Sequence, residues 1–208
     1  MPKITKVVID TNIFIKSLER ELEKLSTKGG LDVCKFMLAT LRSMLKHLYK
    51  ALDKSQFICL ASKQIVEIKR WFHTNVCRDA DTRDIDELFE ITFARRRRWG
   101  MSLDKGIRPL KRSEVSAEKQ RLGRYGRGRQ VQKQIESLCD DVDRLILYFS
   151  LGRCLKGENI KVITADSELA DKFYVKVNEL GIRDNIEVKY VPPERVSLHI
   201  LNDLVRDP

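Results

Sequence analysis

Two short apolar runs, far apart in the chain, each deliver an aspartate. Near the beginning Val7-Val8-Ile9 leads into Asp10-Thr11-Asn12, and near the end Val162-Ile163-Thr164-Ala165 leads into Asp166. An uninterrupted run of β-branched residues reads as a strand buried on both faces, as in a parallel sheet. Parallel strands need helical crossovers, and the ligands of open parallel sheets gather outside the carboxyl ends of the strands. The pair of runs therefore restricts the chain to an α/β fold and predicts that Asp10 and Asp166 share one edge of a sheet.

The rest of the chain supplies the alternation that such a sheet requires. Residues 13 to 25 and 31 to 52 read as helices, the second with Val33, Phe36, Met37, Leu41, Met44, Leu45, Leu48 and Leu52 at helical spacing after the Gly29-Gly30 break. Phe57 to Ser62 reads as a strand, and a helix follows it with Ile65, Ile68 and Phe72 on one stripe. A further helix is expected near 85–98, a turn near Gly106 to Pro109, and a glycine-punctuated stretch at 123–129. Regular structure resumes at 132–155 with Ile135, Leu138, Val142, Leu145, Ile146 and Phe149 forming an apolar helical face. Strand 160–167, a helix closed by Gly181, strand 186–191 and an amphipathic terminal helix complete the order. The expected architecture is one domain over residues 1–208, a three-layer α/β/α arrangement around a central parallel sheet, interrupted by a basic, mainly helical insertion over 78–134.

Further acids fall where this topology brings chain to the same edge. A helix running antiparallel to the strands starts where the strands finish, so Asp140, Asp141 and Asp143 open a helix near Asp10 and Asp166. Glu67 lies near the start of the helix after residues 57–62, on the same edge. Acids in a first helical turn also serve as caps and complement the helix dipole, and that bland role suits Asp140 as well as any other. Crowded carboxylates raise one another's pKa unless a cation intervenes. No Lys or Arg adjoins Asp10 or Asp166 in sequence. A hard divalent ion, Mg²⁺ or Mn²⁺, is the natural neutraliser of such an oxygen-only set.

Charge adds a second theme. The net charge is +10, yet between Arg95 and Lys133 fourteen Lys or Arg face three Asp or Glu, while the other 169 residues hold 26 basic and 27 acidic side chains. All of the positive excess lies in one segment. A concentrated block of one sign attracts a polyanion, and nucleic acid is the commonest, although such runs also occur as solvated linkers.

The acidic motifs, taken in order, resemble the PIN-domain nucleases. That family opens with an apolar strand ending in Asp followed by Thr or Ser and often Asn, as Val7 to Asn12 does here. It carries an acid on a middle helix, matched by Glu67, and a third on a helix reading Asp-x-hydrophobic-hydrophobic, matched by Asp143 to Ile146. A fourth follows a strand ending Thr-x-Asp, matched by Thr164 to Asp166. Within the family the chain is most similar to the minimal protein-only ribonuclease P group, through the Arg-rich stretch at 93–100, the segment at 121–130, Asp140 to Leu147, and Val162 to Ala170. The loop after Asn12 and the length of the helix at 31–52 depart from that group. The resemblance implies a metal-dependent endoribonuclease with catalytic acids Asp10, Glu67, Asp143 and Asp166, a metal site of Asp10, Asp141, Asp143 and Asp166, and precursor transfer RNA as the substrate. RNA phosphates would then be held by Arg95, Arg96, Arg97, Arg98, Lys111, Arg112, Arg121, Arg124, Arg127 and Arg129. Trp99 and Tyr125 would be available to stack on a base, and Gly123, Gly126 and Gly128 to let backbone approach phosphate.

Other classes fit less well. A nucleic-acid-binding protein without catalysis would use the acids only as caps. A phosphohydrolase of the haloacid-dehalogenase type usually has a second Asp two residues after the first, where this chain has Asn12. A toxin-like PIN ribonuclease is typically shorter and lacks the basic segment. No apolar stretch is long enough to span a bilayer and no signal-peptide layout opens the chain, so no membrane partner and a cytoplasmic location are expected. Five scattered cysteines without a C-x-x-C pair suggest mostly buried, reduced thiols, and the three dispersed histidines show no zinc spacing. A homo-oligomer through the terminal helix is an open possibility.

Overall fold

Val7, Val8 and Ile9 are wholly excluded from solvent because strand β1 (Thr5–Ile9) lies at the centre of the sheet. In this computed structural model, residues 5–25, 31–51, 56–78, 83, 106–110 and 112–197 are described. The other strands are β2 (Gln56–Ala61), β3 (Gly106–Leu110), β4 (Asn159–Thr164) and β5 (Ile186–Tyr190). The five strands are all parallel, in the order β3-β2-β1-β4-β5. Seven α-helices are described: α1 (Thr11–Lys24), α2 (Leu31–Ala51), α3 (Ser62–Asn75), α4 (Arg112–Arg124), α5 (Gly128–Leu138), α6 (Asp141–Cys154) and α7 (Ser167–Leu180).

The pleat of β1 divides the core. Val7 and Ile9 face a cluster with Phe14, Leu18, Met37, Leu41, Met44, Ile68 and Phe72 from α1, α2 and α3. Val8 faces the other way, into a cluster with Leu122, Ile135, Ile146, Phe149, Val162, Leu169 and Phe173 from α4 to α7 and β4. The strand alternation of period two thus feeds two apolar cores, one on each face. The periodic stripe of α2 is buried at Met37, Leu41, Met44 and Leu45, but Phe36 is half exposed. Gly181 closes α7 with φ 66°, in the left-handed region that favours glycine, as its position in the sequence suggests.

Three expectations need correcting. Residues 106–110 form the edge strand β3, paired through Phe57↔Gly106 to Ala61↔Leu110, where a turn was expected. An edge strand tolerates Pro109 because one side of its backbone needs no ladder partner. The apolar face over 132–155 belongs to two helices, since α5 ends at Leu138 and α6 begins at Asp141. Cys34 and Cys77, 43 residues apart in sequence, form a disulfide joining α2 to the end of α3, whereas Cys139 and Cys154 are free and buried. Spacing alone does not reveal such a pair, and its presence removes cysteine usage as an argument for a reducing compartment. The helix expected near 85–98 lies outside the described residues, as do Arg95, Arg96, Arg97, Arg98, Trp99 and Lys111. Of the expected terminal helix only residues 193–197 are described, and they form a 3-10 turn at Pro193–Arg195 followed by extended backbone at Val196. Among the described residues no helix is long and apolar enough to cross a membrane.

Candidate functional site at the carboxyl ends of β1 and β4

The strand order reverses beside β1: β2 and β3 extend to one side of it, β4 and β5 to the other. Open α/β sheets bind ligands at this kind of switch point, in the crevice outside the carboxyl ends of the strands. Parallel pairing in register, Ile9↔Ile163, puts Asp10 level with Thr164. The Asp10 backbone N–H donates to the Ile163 carbonyl at 2.9 Å. The Thr164 hydroxyl donates to Asp10 Oδ2 at 2.8 Å and accepts the Asp166 backbone N–H at 2.9 Å. One hydroxyl therefore ties the exits of both strands together.

Asp10 is only 3% exposed. Its side chain makes no capping bond to α1, so the helix-cap explanation does not account for it. Burial pushes its pKa up to about 7, the Thr164 hydrogen bond opposes the rise, and the carboxylates of Asp143 and Asp166 add to it. Asp143 is raised to about 6, first by burial and then by Asp140, with Lys172 opposing. Glu67, half-buried on α3, is raised by burial, with the Thr11 hydroxyl opposing and Asp140 adding to the rise. That hydroxyl, 2% exposed, faces Glu67 without a hydrogen bond of good geometry among the described residues. Gln64 donates from its buried amide to the Ile9 carbonyl at 2.8 Å and so anchors α3 to the end of β1.

The other acids divide by role. Asp140 caps α6, its Oδ1 accepting the Val142 and Asp143 N–H groups at 2.8 Å each. Asp166 caps α7 in the same way, its Oδ1 accepting from Glu168 at 2.8 Å and Leu169 at 3.1 Å. Asp141 stands apart: it is exposed, bound to Lys63 and 3.7 Å from Arg144, and Lys63 holds its carboxyl below the ordinary range. The structure thus brings Asp10, Asp143 and Asp166 into mutual influence, with Glu67 on the Asp140 side, and gives Asp141 to the rim. Among the described residues, no three His, Cys, Asp or Glu side chains converge into a ready ligand set as they stand. In chemistry the donors nevertheless suit a hard cation: they are oxygens only, and one is nearly inaccessible to water.

In the sequence Thr164 stands out only as part of a motif, with no sign of its two hydrogen bonds, and Lys172 does not stand out at all. The Lys172 Nζ lies 3.4 Å from Asp143 Oδ2 and 3.0 Å from Glu168 Oε1. No local pattern signals it, because Asp143 and Lys172 meet only when α6 and α7 pack.

The described part of the basic segment forms β3, α4, the turn after it and α5. Arg112, Arg124, Arg127, Arg129 and Lys133 are exposed. Tyr125 is 44% exposed, which leaves its ring open to solvent. Arg121 differs, being turned onto the buried carboxylate of Glu118. Gly128 is buried: a Cβ there would fall 1.7 Å from the Leu122 carbonyl oxygen, so the turn needs glycine for its own closure. The exposed arginines at 124–129 stand at the opposite end of α5 from Asp140. At 1.5 Å per residue, that helix separates them by about 16 Å. The chain matches no protein-family model, no curated protein and no solved structure.

Proposed function

We propose that the protein is a Mg²⁺- or Mn²⁺-dependent endoribonuclease with a PIN-like, three-layer arrangement, acting in the cytoplasm on RNA held by the basic segment. The observation that carries this reading is Asp10: a carboxylate buried at the switch point, unused as a cap, and raised first by that burial, with Asp143 and Asp166 adding to the rise. Burying an anion against two others is unfavourable unless the site exists for a positive ligand. Asp10, Asp143 and Asp166 would hold the cation, with Glu67 assisting and Asp141 on the rim. When bound, the cation supplies Lewis acidity to the phosphodiester and makes water a nucleophile at neutral pH.

The chain's own part is positional. Thr164 fixes the rotamer of Asp10 and the backbone entering α7. The two caps fix the helices that carry Asp143 and Asp166 to the edge. Arg112, Arg124, Arg127 and Arg129 neutralise phosphates without reading bases, which suits recognition of a folded RNA by its backbone. The likeness to the minimal protein-only ribonuclease P group makes 5′ processing of precursor transfer RNA the specific reaction to test.

A second reading, an RNA-binding protein without catalysis, draws on the capping bonds of Asp140 and Asp166 and on the absence of a closed ligand set among the described residues. The deciding experiment incubates structured precursor transfer RNA and unstructured RNA with wild type, Asp10→Asn and Asp166→Asn, with Mg²⁺ or with chelator. Metal-dependent cleavage lost in both variants is expected. Equal cleavage by the variants removes the nuclease reading, and cleavage of unstructured RNA alone removes the ribonuclease P-like one.

A further inference from the structure

We propose that Lys172 is a built-in counter-ion that competes with the divalent cation for the Asp143 carboxylate and so sets how tightly the site takes that cation. The proposal rests on the metal-dependent reading above. Lys172 is the one cationic side chain within salt-bridge distance of Asp143 among the described residues, with Nζ 3.4 Å from Oδ2. The two side chains are 17% and 13% exposed, so the pair is largely shielded from water. The lysine arises from α7, the helix that Asp166 caps, and it faces an acid at the start of α6. Its position is therefore fixed by the same packing that gathers the acids.

A lysine and a divalent cation cannot both occupy one carboxylate without repulsion, so occupancy by either weakens the other by the same factor. Glu168 makes the exchange feasible. Its carboxylate is 3.0 Å from the Lys172 Nζ, one helical turn earlier on α7, and its side chain is 76% exposed. The ammonium thus has a second seat that leaves it hydrated and paired when Asp143 turns to a cation. In the metal-free protein Lys172 lessens the repulsion between Asp143 and its acidic neighbours.

The test is a Mn²⁺ titration followed by the EPR signal of free Mn²⁺, with thermal unfolding of the metal-free and Mn²⁺-loaded protein in parallel. Wild type, Lys172→Met, Glu168→Gln and Asp10→Asn are compared. Methionine keeps most of the apolar stem of lysine and removes the charge. Lys172→Met is expected to bind Mn²⁺ about tenfold tighter, in the usual range of coupling between competing ligands, and to melt lower without metal. Glu168→Gln removes the second seat, confines the lysine to Asp143, and is expected to weaken Mn²⁺ binding about fivefold. Unchanged or weaker Mn²⁺ affinity in Lys172→Met overturns the proposal. Should that variant not fold, unchanged affinity in Glu168→Gln overturns it. A different result sinks the metal reading itself: Mn²⁺ binding absent from wild type, or present and unaltered in Asp10→Asn.

Discussion

Replacing Asp10 with Asn should stabilise the metal-free protein at neutral pH while abolishing the proposed cation binding. Asn is nearly isosteric, and its carbonyl can still accept the Thr164 hydroxyl that reaches Asp10 at 2.8 Å. What changes is the cost of charge. The pKa of Asp10 is about 7 in the fold against 3.8 for the free side chain. Across that window the folded state keeps its proton while the unfolded chain releases one, so wild-type stability falls as pH rises from about 4 to about 7 and levels off above. A shift of about three units, at about 1.4 kcal/mol each, makes the loss about 4 kcal/mol. Asn has no such loss. Urea unfolding in chelator at a series of pH values should show the two proteins diverging across that window, with the variant the more stable by about that amount above pH 7. Saturating Mg²⁺ should then raise wild type and leave Asp10→Asn unmoved. Parallel pH curves for the two proteins would refute the reasoning, because they would mean that Asp10 ionises in the fold as easily as in water.

Thr164→Val keeps the shape of the side chain but leaves the Asp166 N–H without its acceptor and Asp10 without its donor. It should destabilise the protein by about 2 kcal/mol, measured by urea unfolding at pH 6, and a loss well under 1 kcal/mol would show that the hydroxyl does not tie the strand exits together. Changing Arg124, Arg127 and Arg129 together to Gln should weaken RNA binding and flatten its salt dependence, lowering the slope of log affinity against log salt by about 2 in fluorescence anisotropy. An unaltered slope would mean that this turn does not touch phosphate.

How far the sequence discloses the molecule depends on how local each determinant is. β1 and β4 are legible because a strand buried on both faces must be apolar throughout, and Val7 to Ile9 and Val162 to Ile163 are. Gly181 is legible because only its left-handed φ suits the end of α7. β3 is hidden, since Arg108 and Pro109 look like turn chemistry and a short edge strand asks little of its residues. The Cys34–Cys77 bond is hidden for another reason: it depends on α2 and the end of α3 meeting over a common core. In the site, Asp10 and Asp166 follow from strand polarity alone. The helix-opening acids separate only in part by sequence: the spacing of Asp143 to Ile146 turns it toward the buried side, but nothing local tells the roles of Asp140 and Asp141 apart. Only geometry gives Asp140 to the cap, Asp141 to Lys63 and Asp143 to the buried cluster.

The Thr164–Asp10 bond spans 154 positions of chain, which has a bearing on synthesis. Asp10 leaves the ribosome 154 residues ahead of Thr164. Until then β1 lacks its neighbour β4, and the aspartate has neither the hydroxyl that orients it nor the other acids that face it in the fold. The acidic cluster at the strand ends therefore assembles only once β4 has joined β1 in the sheet.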